Sequence, residues 1–382
     1  MKIKDLVLKE IKGFWGEEPA ENEKGIPVIK TNNLTYEGVI NYSDLCYRSI
    51  DVNKVKDNFL IKGDLLIEKS GGTKTHSVGY VSYFDGADNT YVCNNFILGL
   101  RINENIVRPK YIFYILKYMY ENGYFAHCYK QTTGIQNLKK DLYLDFDIQV
   151  PDFQTQDNII NVLDKITAST TKDQQKLKKY DDLVKSQFIE MFENGKYPIK
   201  KIREITETTS GGTPASSNDN YYKGGTIPWI NSGELNKGII TEAENFITEE
   251  GLKNSSAKYV PENSVLVAMY GATVGQVSLL KLRATTNQAV CAVLPNEVTT
   301  PEYLWYSLRI KKDYFIKKSS GGAQHNINQG IVKETEIPIP PLDLQNQFAD
   351  FVKHIDKLKF TIKQSIEKLN LCYQSLMKEY FE

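Results

Sequence analysis

Five stretches of the sequence combine small residues with side chains that form hydrogen bonds. They are EKSGGTKTH (68–76), YKQTTGIQNLKK (129–140), TTSGGTPASSNDNYYKG (208–224), AMYGATVG (268–275) and KKSSGGAQHN (317–326). Glycine lets a backbone approach another molecule closely, and hydroxyl, amide and ammonium groups bind phosphate oxygens and the edges of nucleic-acid bases. The five stretches are therefore candidate contact loops.

The candidate contact residues lie in these loops and at the end of the strand-like run IPWIN. They are Lys69, Ser70, Gly71, Thr73, Lys74, Lys130, Thr132, Gln136, Asn137, Ser210, Thr213, Tyr221, Tyr222, Asn231, Tyr270, Thr273, Lys317, Lys318, Gln324 and Asn326. Each loop has a second interpretation as a plain turn, and the lysine pair at 317–318 has one as a solvated helix end. Trp229, inside IPWI, is expected in the core and not stacked on a base.

The sequence lacks the motifs of enzymes that act on nucleic acids. An adenine methyltransferase needs an Asn-Pro-Pro-aromatic active site, and no NPP occurs; the phosphate-binding loop GxxxxGK[ST] is absent as well. Asp64, Glu68 and Lys69 are residue types found in nucleases, but no residue separates the glutamate from the lysine. We therefore interpret them as charges at a strand end and expect no catalysis by this chain alone.

Composition and charge set wider limits. A chain of 382 residues with 41% hydrophobic and 25% charged residues is expected to form two or more globular domains. Its 47 basic and 47 acidic residues balance, which argues against a histone-like polyanion binder but allows local basic patches. Five cysteines without close spacing and four scattered histidines predict reduced thiols in a cytoplasm and no metal site. No apolar run is long enough for a membrane segment, and the charged start lacks a signal-peptide core.

The chain repeats itself in order. The echoes include PKYIFYILK (109–117) with PEYLWYSLR (301–309), IPVIKTNNL (26–34) with IPWINSGEL (227–235), VGYV (78–81) with VGQV (274–277), DIQVPDFQTQ (147–156) with EIPIPPLDLQ (336–345), and KSQFIEMF (185–192) with QSLMKEYF (374–381). A period of about 190 residues is too long for a solenoid and indicates a duplicated domain. The two SGGT stretches fall at different phases of the repeat, so their likeness is local turn chemistry.

Each copy has a globular part and a helical part. Short β-type runs punctuated by Gly, Asn, Asp and Pro lead to one helix, which Pro109 or Pro301 opens. A long stretch without proline follows in each copy. We predict an α+β chain with globules at 1–150 and 197–340 and long helices at 151–196 and 341–382. If the copies relate by a two-fold axis, the long helices run antiparallel.

Both long helices carry an apolar seam with steps of three and four residues, which is typical of a coiled coil. The first seam comprises Ile159, Leu163, Ile166, Thr170, Asp173, Leu177, Tyr180, Val184 and Met191. The second comprises Phe348, Phe351, Ile355, Leu358, Ile362, Ser365, Leu369, Cys372 and Leu376. We expect the seams to pack together, with the polar positions Thr170, Asp173 and Ser365 near each other at the centre.

Several motifs resemble those of the DNA-specificity subunit of type I restriction-modification systems. The resemblance covers the whole chain and is strongest in TSGGTPASSNDNYYKGGTIPWINSGELNKG (209–238), VLVAMYGATVGQV (265–277), TTNQAVCAV (285–293) and EIPIPPLDLQNQF (336–348). The first copy fits more loosely, because KSGGTKTHSVGYV stands where the second has AMYGATVGQV.

The resemblance implies a role for each part. The fold would be two pseudo-symmetric target-recognition domains joined by two long antiparallel coiled-coil spacer helices. Each domain would read one half of a bipartite site in double-stranded DNA, and the helices would set the spacing and dock two methyltransferase subunits. Motor-nuclease subunits would join the larger complex. S-adenosylmethionine, ATP and Mg would then belong to partner subunits, and this chain would hold no cofactor.

Two other classes of protein fit the same architecture. A structural adaptor would use its two globules to bind proteins on a coiled-coil rod, and it would leave no footprint on DNA. An enzyme of unfamiliar type would house paired active sites in the β-rich globules, and the isolated chain would turn over substrate.

Overall fold

The computed structural model describes residues 1–22, 24–73, 76–132, 134–194, 197–319 and 326–382, with no side chains described at 131 and 132. The chain forms two compact units, Met1–Gln174 with Gln364–Glu382, and Gln175–Lys363. Each unit therefore contains one globule and a part of each long helix. The architecture mixes helix and strand, as the sequence predicts.

The helices of the structure are short except for two. They are α1 (Val52–Val55), α2 (Pro109–Glu121), α3 (Lys140–Leu144), α4 (Phe153–Phe188), α5 (Ile202–Ile205), α6 (Glu249–Lys253), α7 (Pro301–Ile310), α8 (Lys312–Lys318), α9 (Gln329–Lys333) and α10 (Leu342–Phe381). A π turn at Ile189–Glu193 extends α4, and 3-10 turns lie at Ile3–Leu6, Thr31–Asn33, Asp219–Tyr221, Ser232–Lys237 and Gly271–Thr273. The two long helices and the proline-opened α2 and α7 confirm the helix predictions.

The strands are short, as their turn-rich sequence predicts. In the first unit they are β1 (Val7–Ile11), β2 (Ile26–Ile29), β3 (Cys46–Arg48), β4 (Leu65–Glu68), β5 (Ser70–Gly71), β6 (Val81–Tyr83), β7 (Val92–Cys93), β8 (Ile97–Ile102), β9 (Tyr129–Thr132) and β10 (Ile135–Leu138). In the second they are β11 (Ile199–Lys201), β12 (Thr208–Ser210), β13 (Ile227–Ile230), β14 (Ile239–Ile240), β15 (Phe246–Ile247), β16 (Tyr259–Val260), β17 (Val265–Ala268), β18 (Val277–Leu280), β19 (Ala284–Thr286), β20 (Val290–Val293) and β21 (Glu336–Pro338).

Two sheets of the first unit have the same strand order as two sheets of the second, which each carry one added edge strand. The first unit has a sheet in the order β1-β8-β4-β6 and another in the order β3-β2-β7; the second has β12-β20-β17-β18-β14 and β15-β13-β19-β16. The only parallel pair in the described part of the first unit, β2 with β7, corresponds to the parallel pair β13 with β19. The matching orders and directions confirm that the chain is a duplicated domain.

One predicted run divides in two. The sequence YVCNNFILGLRI (91–102) reads as a single strand, but β7 ends at Cys93 and β8 begins at Ile97. The carboxamide oxygen of Asn94 accepts a hydrogen bond from the Phe96 N–H at 3.2 Å and closes a turn between them. Asparagine commonly makes this local bond, and here it outweighs the β propensity of its neighbours.

Aromatic residues of α2 and α7 fill the two cores. Tyr111 and Tyr303 are almost fully buried, and their hydroxyls donate to the carbonyls of Gln149 (3.1 Å) and Pro338 (2.7 Å). These bonds join each helix to the segment that leads into the following long helix. Trp229 is also buried, as predicted from its place in IPWI.

A buried glutamine holds the start of each long helix against its globule. The Gln156 side chain accepts from the Arg108 N–H at 2.8 Å and donates to the Pro151 carbonyl at 2.7 Å. Gln345 accepts from the Thr300 N–H at 2.8 Å and donates to two carbonyls at 2.9 Å each. Both side chains are at most 1% exposed. The same bonds therefore anchor both copies, at the Gln that closes the sequence echo 147–156 with 336–345.

The helix seams contribute to the core of each unit. Fully buried seam residues are Ile159, Leu163, Val184, Phe348 and Ile355, and half-buried ones are Ile166, Thr170, Asp173, Leu177, Tyr180, Met191, Phe351, Leu358, Ile362, Ser365, Leu369 and Leu376. Cys372 is exposed, whereas Met377, which lies outside the predicted seam, is 2% exposed. The apolar face of a straight helix drifts away from a strict 3.5-residue repeat along the helix. The seven-residue pattern therefore predicts Cys372 in the seam, whereas the structure buries Met377.

Two of the three polar seam positions, Asp173 and Ser365, meet as predicted. Within the first unit, the Ser365 hydroxyl donates to the Asp173 carboxylate at 3.0 Å. In the second unit, Lys359 pairs with Asp181 at 2.6 Å. In each unit, the helix parts therefore meet through polar as well as apolar contacts.

We predict that Gln156→Ala and Gln345→Ala each destabilise the chain by roughly 1–3 kcal/mol, because each leaves a buried N–H and at least one carbonyl without a partner. Denaturant unfolding of the full chain measures this. The matched controls are Gln154→Ala and Gln347→Ala, which remove exposed glutamines two residues away on the same helices. The controls should stay within about 0.5 kcal/mol of wild type; equal effects in all four variants would contradict the anchoring role.

Candidate nucleic-acid interface

Two of the candidate loops pair with each other in the first unit. The chain leaves β4 and immediately forms β5, where Ser70 lies opposite Asn137 and Gly71 opposite Gln136 of β10. The Leu138 N–H donates to the Lys69 carbonyl at 2.8 Å and continues this pairing. The structure thus brings together predicted residues that lie more than 60 positions apart in sequence, since Ser70 and Asn137 are separated by 67.

A row of polar side chains crosses this small sheet. The Ser70 hydroxyl donates to the Asn137 carboxamide oxygen at 2.8 Å, and Lys130 of β9 lies opposite Asn137 on its other side. Residues directly opposite each other in an antiparallel pair share a face. Asn137 and Lys130 are both exposed, so the row offers amide and ammonium donors to solvent.

The second unit builds the same junction with different side chains. Tyr270, just after β17, forms an isolated β-bridge with Asn326, and the Ile327 N–H donates to the Met269 carbonyl at 2.8 Å. Tyr270 and Asn326 are both exposed. The junction therefore has an asparagine in both units, paired with a serine in one and a tyrosine in the other.

The glycines of the first loop are required by its neighbours. Gly71 has φ +140° and Gly72 has φ +71°, a region that favours glycine. A Cβ at Gly71 would lie 2.5 Å from a Glu68 carboxylate oxygen, and one at Gly72 would lie 2.7 Å from the Gln136 amide oxygen. Gln136, a predicted contact residue, is buried, and that amide oxygen accepts from the Val78 N–H at 3.1 Å. Its side chain supports the loop from inside.

Glu68 is a functional candidate that the sequence interpretation set aside as a strand-end charge. It is 6% exposed, and one carboxylate oxygen has no hydrogen-bond partner among the described residues. Burial raises the pKa of Glu68. Burial is also the main cause that raises the pKa of Tyr36 and Tyr80, and the nearby Glu68 carboxyl is the second cause. The repeat in the sequence could have drawn attention to Glu68. The second copy has Ala268 at the equivalent position of β17, so the strand itself does not require a carboxyl there.

The predicted contact residues in the stretch 208–224 differ in how far they are exposed to solvent. Ser210 lies opposite Cys291 within the sheet, and Tyr221 is half-buried in a 3-10 turn. The Tyr222 hydroxyl donates to the Pro214 carbonyl, which ties that ring to the loop backbone. Thr213 is exposed and donates to the carboxamide oxygen of Gln288. Of these residues, Thr213 is the one that faces solvent.

Parallel strands place amide groups at one sheet edge of the second unit. Asn231 follows β13 and Asn287 follows β19, and the Asn287 amide donates to the Asn231 carboxamide oxygen at 3.2 Å. Gln288 is exposed beside them. Because the carboxyl ends of parallel strands meet at one edge, such positions commonly bind ligands. The sequence interpretation included Asn231 but missed Asn287 and Gln288, since parallel pairing cannot be read from one strand.

The basic residues of α7 and α8 differ in their contacts with the rest of the chain. The Arg309 guanidinium lies over the Trp305 ring at 5.5 Å, and Lys311 pairs with Glu193 at 3.5 Å. Lys317 and Lys318 are exposed at the last turn of α8. Lys317 and Lys318 therefore offer two adjacent exposed ammonium groups to an outside anion.

The remaining predicted positions are placed as follows. The Thr273 hydroxyl donates to the Tyr270 carbonyl at 3.1 Å and stabilises the turn after β17. Thr73 is exposed and accepts from the His76 N–H at 3.0 Å. Thr132 lies in β9 opposite Ile135, and its side chain is outside the description. Lys74 and Gln324 lie outside the described residues.

Metal-binding clusters and membrane-spanning helices are two other kinds of feature that the described residues could form. Among the residues that the structure describes, no group of His, Cys, Asp and Glu side chains is placed to hold a metal ion. Within the same described ranges, no helix has the length and apolar character needed to cross a bilayer.

Comparison with known proteins identifies similar chains. A profile of the type I restriction modification DNA specificity domain matches residues 1–179 and 194–370. The EcoR124I/EcoR124II specificity subunit of Escherichia coli is 27% identical over 221 residues, which cover 56% of this chain and 54% of that protein. The MjaIX specificity subunit of Methanocaldococcus jannaschii is 32% identical over 196 residues, covering 49% and 45%. The chain spans about half the length of these curated relatives.

Two solved structures share the fold over nearly the whole chain. The type I restriction-modification S subunit from M. genitalium has a TM-score of 0.57 at 16% identity, with 100% of this chain and 95% of that chain covered. A chain from a structure concerning complex assembly and conformational transition of the type I R-M system has a TM-score of 0.60 at 14% identity, with 99% and 96% covered.

We predict that Glu68→Gln stabilises the chain near neutral pH by roughly 1–3 kcal/mol, because it removes a charge from a site where burial disfavours the charged form. Because burial raises the pKa of Glu68, the folded chain binds its proton more tightly than the unfolded chain does. The destabilisation by the charged form is therefore absent at low pH and develops as pH rises through the folded pKa. Thermal unfolding at about pH 4 and about pH 8 should show a gain only at the higher pH.

The control for this prediction is Glu37→Gln, which changes an exposed carboxyl in the same unit. It should leave stability nearly unchanged at both pH values. A Glu68→Gln variant that is less stable than wild type at the higher pH would mean that the carboxylate has a stabilising partner.

Proposed function

The chain belongs to the family of type I restriction modification DNA specificity domains, and on that premise we propose that it is a specificity subunit that reads a bipartite DNA site. Each unit reads one half of the site through the junction of its paired loops. Hydroxyl, amide and ammonium groups supply the contacts to base edges and phosphates.

The observation that carries this proposal is the repeated junction. Both units use the same backbone pairing after the central strand and place an exposed asparagine there, Asn137 or Asn326. The opposing residue differs, Ser70 in one unit and Tyr270 in the other. A common backbone with different side chains suits two readers of different half-sites, whereas packing alone would favour buried and similar residues at this position.

Partner subunits complete the proposed activity. Phe360 and Leu371 of α10 are each 61% exposed, and Leu183 of α4 is 44% exposed. Large exposed apolar side chains on helices favour protein contacts. We propose that the long helices dock two methyltransferase subunits, and that motor-nuclease subunits join for restriction. S-adenosylmethionine, ATP and Mg act in those partners, and this chain contributes recognition without catalysis.

The deciding experiment is co-expression of the chain with its methyltransferase partner in a host that lacks other adenine methylation. Long-read sequencing then maps methylated adenines across the genome. A split motif with an unread gap supports the proposal. Methylation without a sequence motif, or none despite an assembled complex, contradicts it and favours the adaptor or the unfamiliar enzyme.

We predict that the two half-sites follow the two globules independently. Replacing residues 1–150 with a recognition domain from another family member should change one half of the methylated motif and leave the other intact. The reason is that each unit has its own core and its own junction. The reciprocal exchange of residues 197–340 is the control, and a simultaneous change of both halves would contradict modular reading.

We predict that Lys317→Ala with Lys318→Ala weakens DNA binding of the assembled complex about equally on all sequences. The slope of log affinity against log salt should fall by about one to two, because each lost phosphate contact removes close to one unit. Binding titrations at several salt concentrations measure the slope.

The matched control for the lysine pair is Lys178→Ala with Lys179→Ala. These are also adjacent and exposed, but they lie on α4 and outside the candidate loops. The control should keep the wild-type salt slope. A wild-type slope in the Lys317/Lys318 variant would assign that pair to a solvated helix end.

A further inference from the structure

The exposed face of β10 carries a defined set of hydrogen-bonding groups. Along Ile135–Leu138 the residues alternate between exposed and buried, so Ile135 and Asn137 face outward while Gln136 and Leu138 face the core. Lys130 and Ser70 lie directly opposite Asn137 on the two neighbouring strands. Asn137 therefore sits at the centre of an outward row of three polar residues.

Ser70 determines what Asn137 can offer. Its hydroxyl donates to the Asn137 carboxamide oxygen at 2.8 Å, which engages the acceptor side of the amide and orients its NH₂ group away from Ser70. A free asparagine pairs with adenine through one donor and one acceptor. Here Ser70 already engages one of the two lone pairs of the oxygen, so the amide presents two N–H donors and one remaining acceptor position.

Lys130 adds further donors beside the amide. Its ammonium group has three N–H bonds and no acceptor, and the side chain is exposed. The row thus presents donors from two adjacent residues. In the major groove, guanine is the base that offers two neighbouring acceptors, N7 and O6, whereas adenine offers one acceptor and one donor.

We propose that Asn137 and Lys130 together read a guanine in the half-site of the first unit, with Ser70 as the positioning residue for the amide. The proposal rests on the proposed function and adds the base that this row recognises. Ser70 acts through Asn137 and does not itself contact the base. The equivalent asparagine of the second unit, Asn326, faces Tyr270 instead, so the same preference is not transferred to the other half-site.

The test uses the full chain assembled with its methyltransferase partner and the motif found by genome mapping. Duplexes are made in which each guanine of the first half-site is replaced in turn by 7-deazaguanine, which lacks the N7 acceptor. Competition binding then compares wild type with Asn137→Ala on every duplex. At one guanine, wild type should lose about tenfold in affinity on the modified duplex.

At that position the variant and the base change should be coupled. Asn137→Ala should bind the unmodified duplex roughly tenfold to a hundredfold more weakly than wild type and should no longer distinguish guanine from 7-deazaguanine. Lys130→Ala should show the same coupling at the same guanine. Asn105→Ala, which changes an exposed asparagine of the first unit outside the candidate loops and the long helices, should behave as wild type.

Two substitutions test the role of the donors directly. Asn137→Asp keeps the size of the side chain but replaces donors with acceptors, so the variant should reject guanine and favour a base with an exocyclic amino group at that position. Ser70→Ala should lower discrimination between guanine and adenine there, while affinity for the original site falls less than tenfold. Restored discrimination in Ser70→Thr, which keeps a hydroxyl, would separate positioning from loop structure.

The outcomes separate this inference from the proposed function. If wild type methylates a split motif but Asn137→Ala couples to no guanine, the inference is overturned. It is also overturned if Asn137→Ala couples to 7-deazaadenine, or weakens binding equally on all sequences as a phosphate contact would. If the wild-type assembly recognises no motif, the proposed function itself fails.

Discussion

The fold depends on one repeated interaction, the buried glutamine that joins each long helix to its globule. Gln156 and Gln345 satisfy backbone groups of two segments at once, the residue before α2 or α7 and the turn that opens α4 or α10. A buried amide that bonds to backbone groups of two segments fixes geometry more strictly than apolar packing, because a small displacement leaves unpaired polar groups. The globule and the helix of each unit are therefore expected to behave as one body, so that a loop on the globule has a defined position relative to the helix.

Duplication then gives the chain two versions of one junction. The backbone pairing after the central strand is the same in both units, but the side chains on it have diverged, as Ser70 and Tyr270 show. Backbone hydrogen bonds are indifferent to side-chain identity, so this edge can change its surface without losing its structure. Because the backbone pairing does not depend on the side chains, one fold can present two different surfaces.

The first unit has a buried carboxyl group beneath its junction loop, where the second has an alanine. Glu68 is buried beneath the Gly71–Gly72 turn, and Gln136 holds the same turn through its contact with Val78. Ala268 occupies the equivalent position to Glu68 in the second unit, so the shared fold does not need a carboxyl there. A buried carboxylate with an unpaired oxygen costs stability, and its presence fits a role tied to the loop above it and not to the core.

The sequence by itself determined the duplication, the two long helices, the proline-opened helices and the buried aromatic residues, because these depend on local pattern and periodicity. It also predicted that Ser70, Asn137, Tyr270 and Asn326 lie on candidate loops. Only the tertiary structure decided that they form pairs, that Gln136 faces inward, and that Asn287 and Gln288 join the edge beside Asn231. The physical reason is that strand register and parallel pairing are set by contacts between distant segments, and a shift of one residue exchanges the buried and exposed faces.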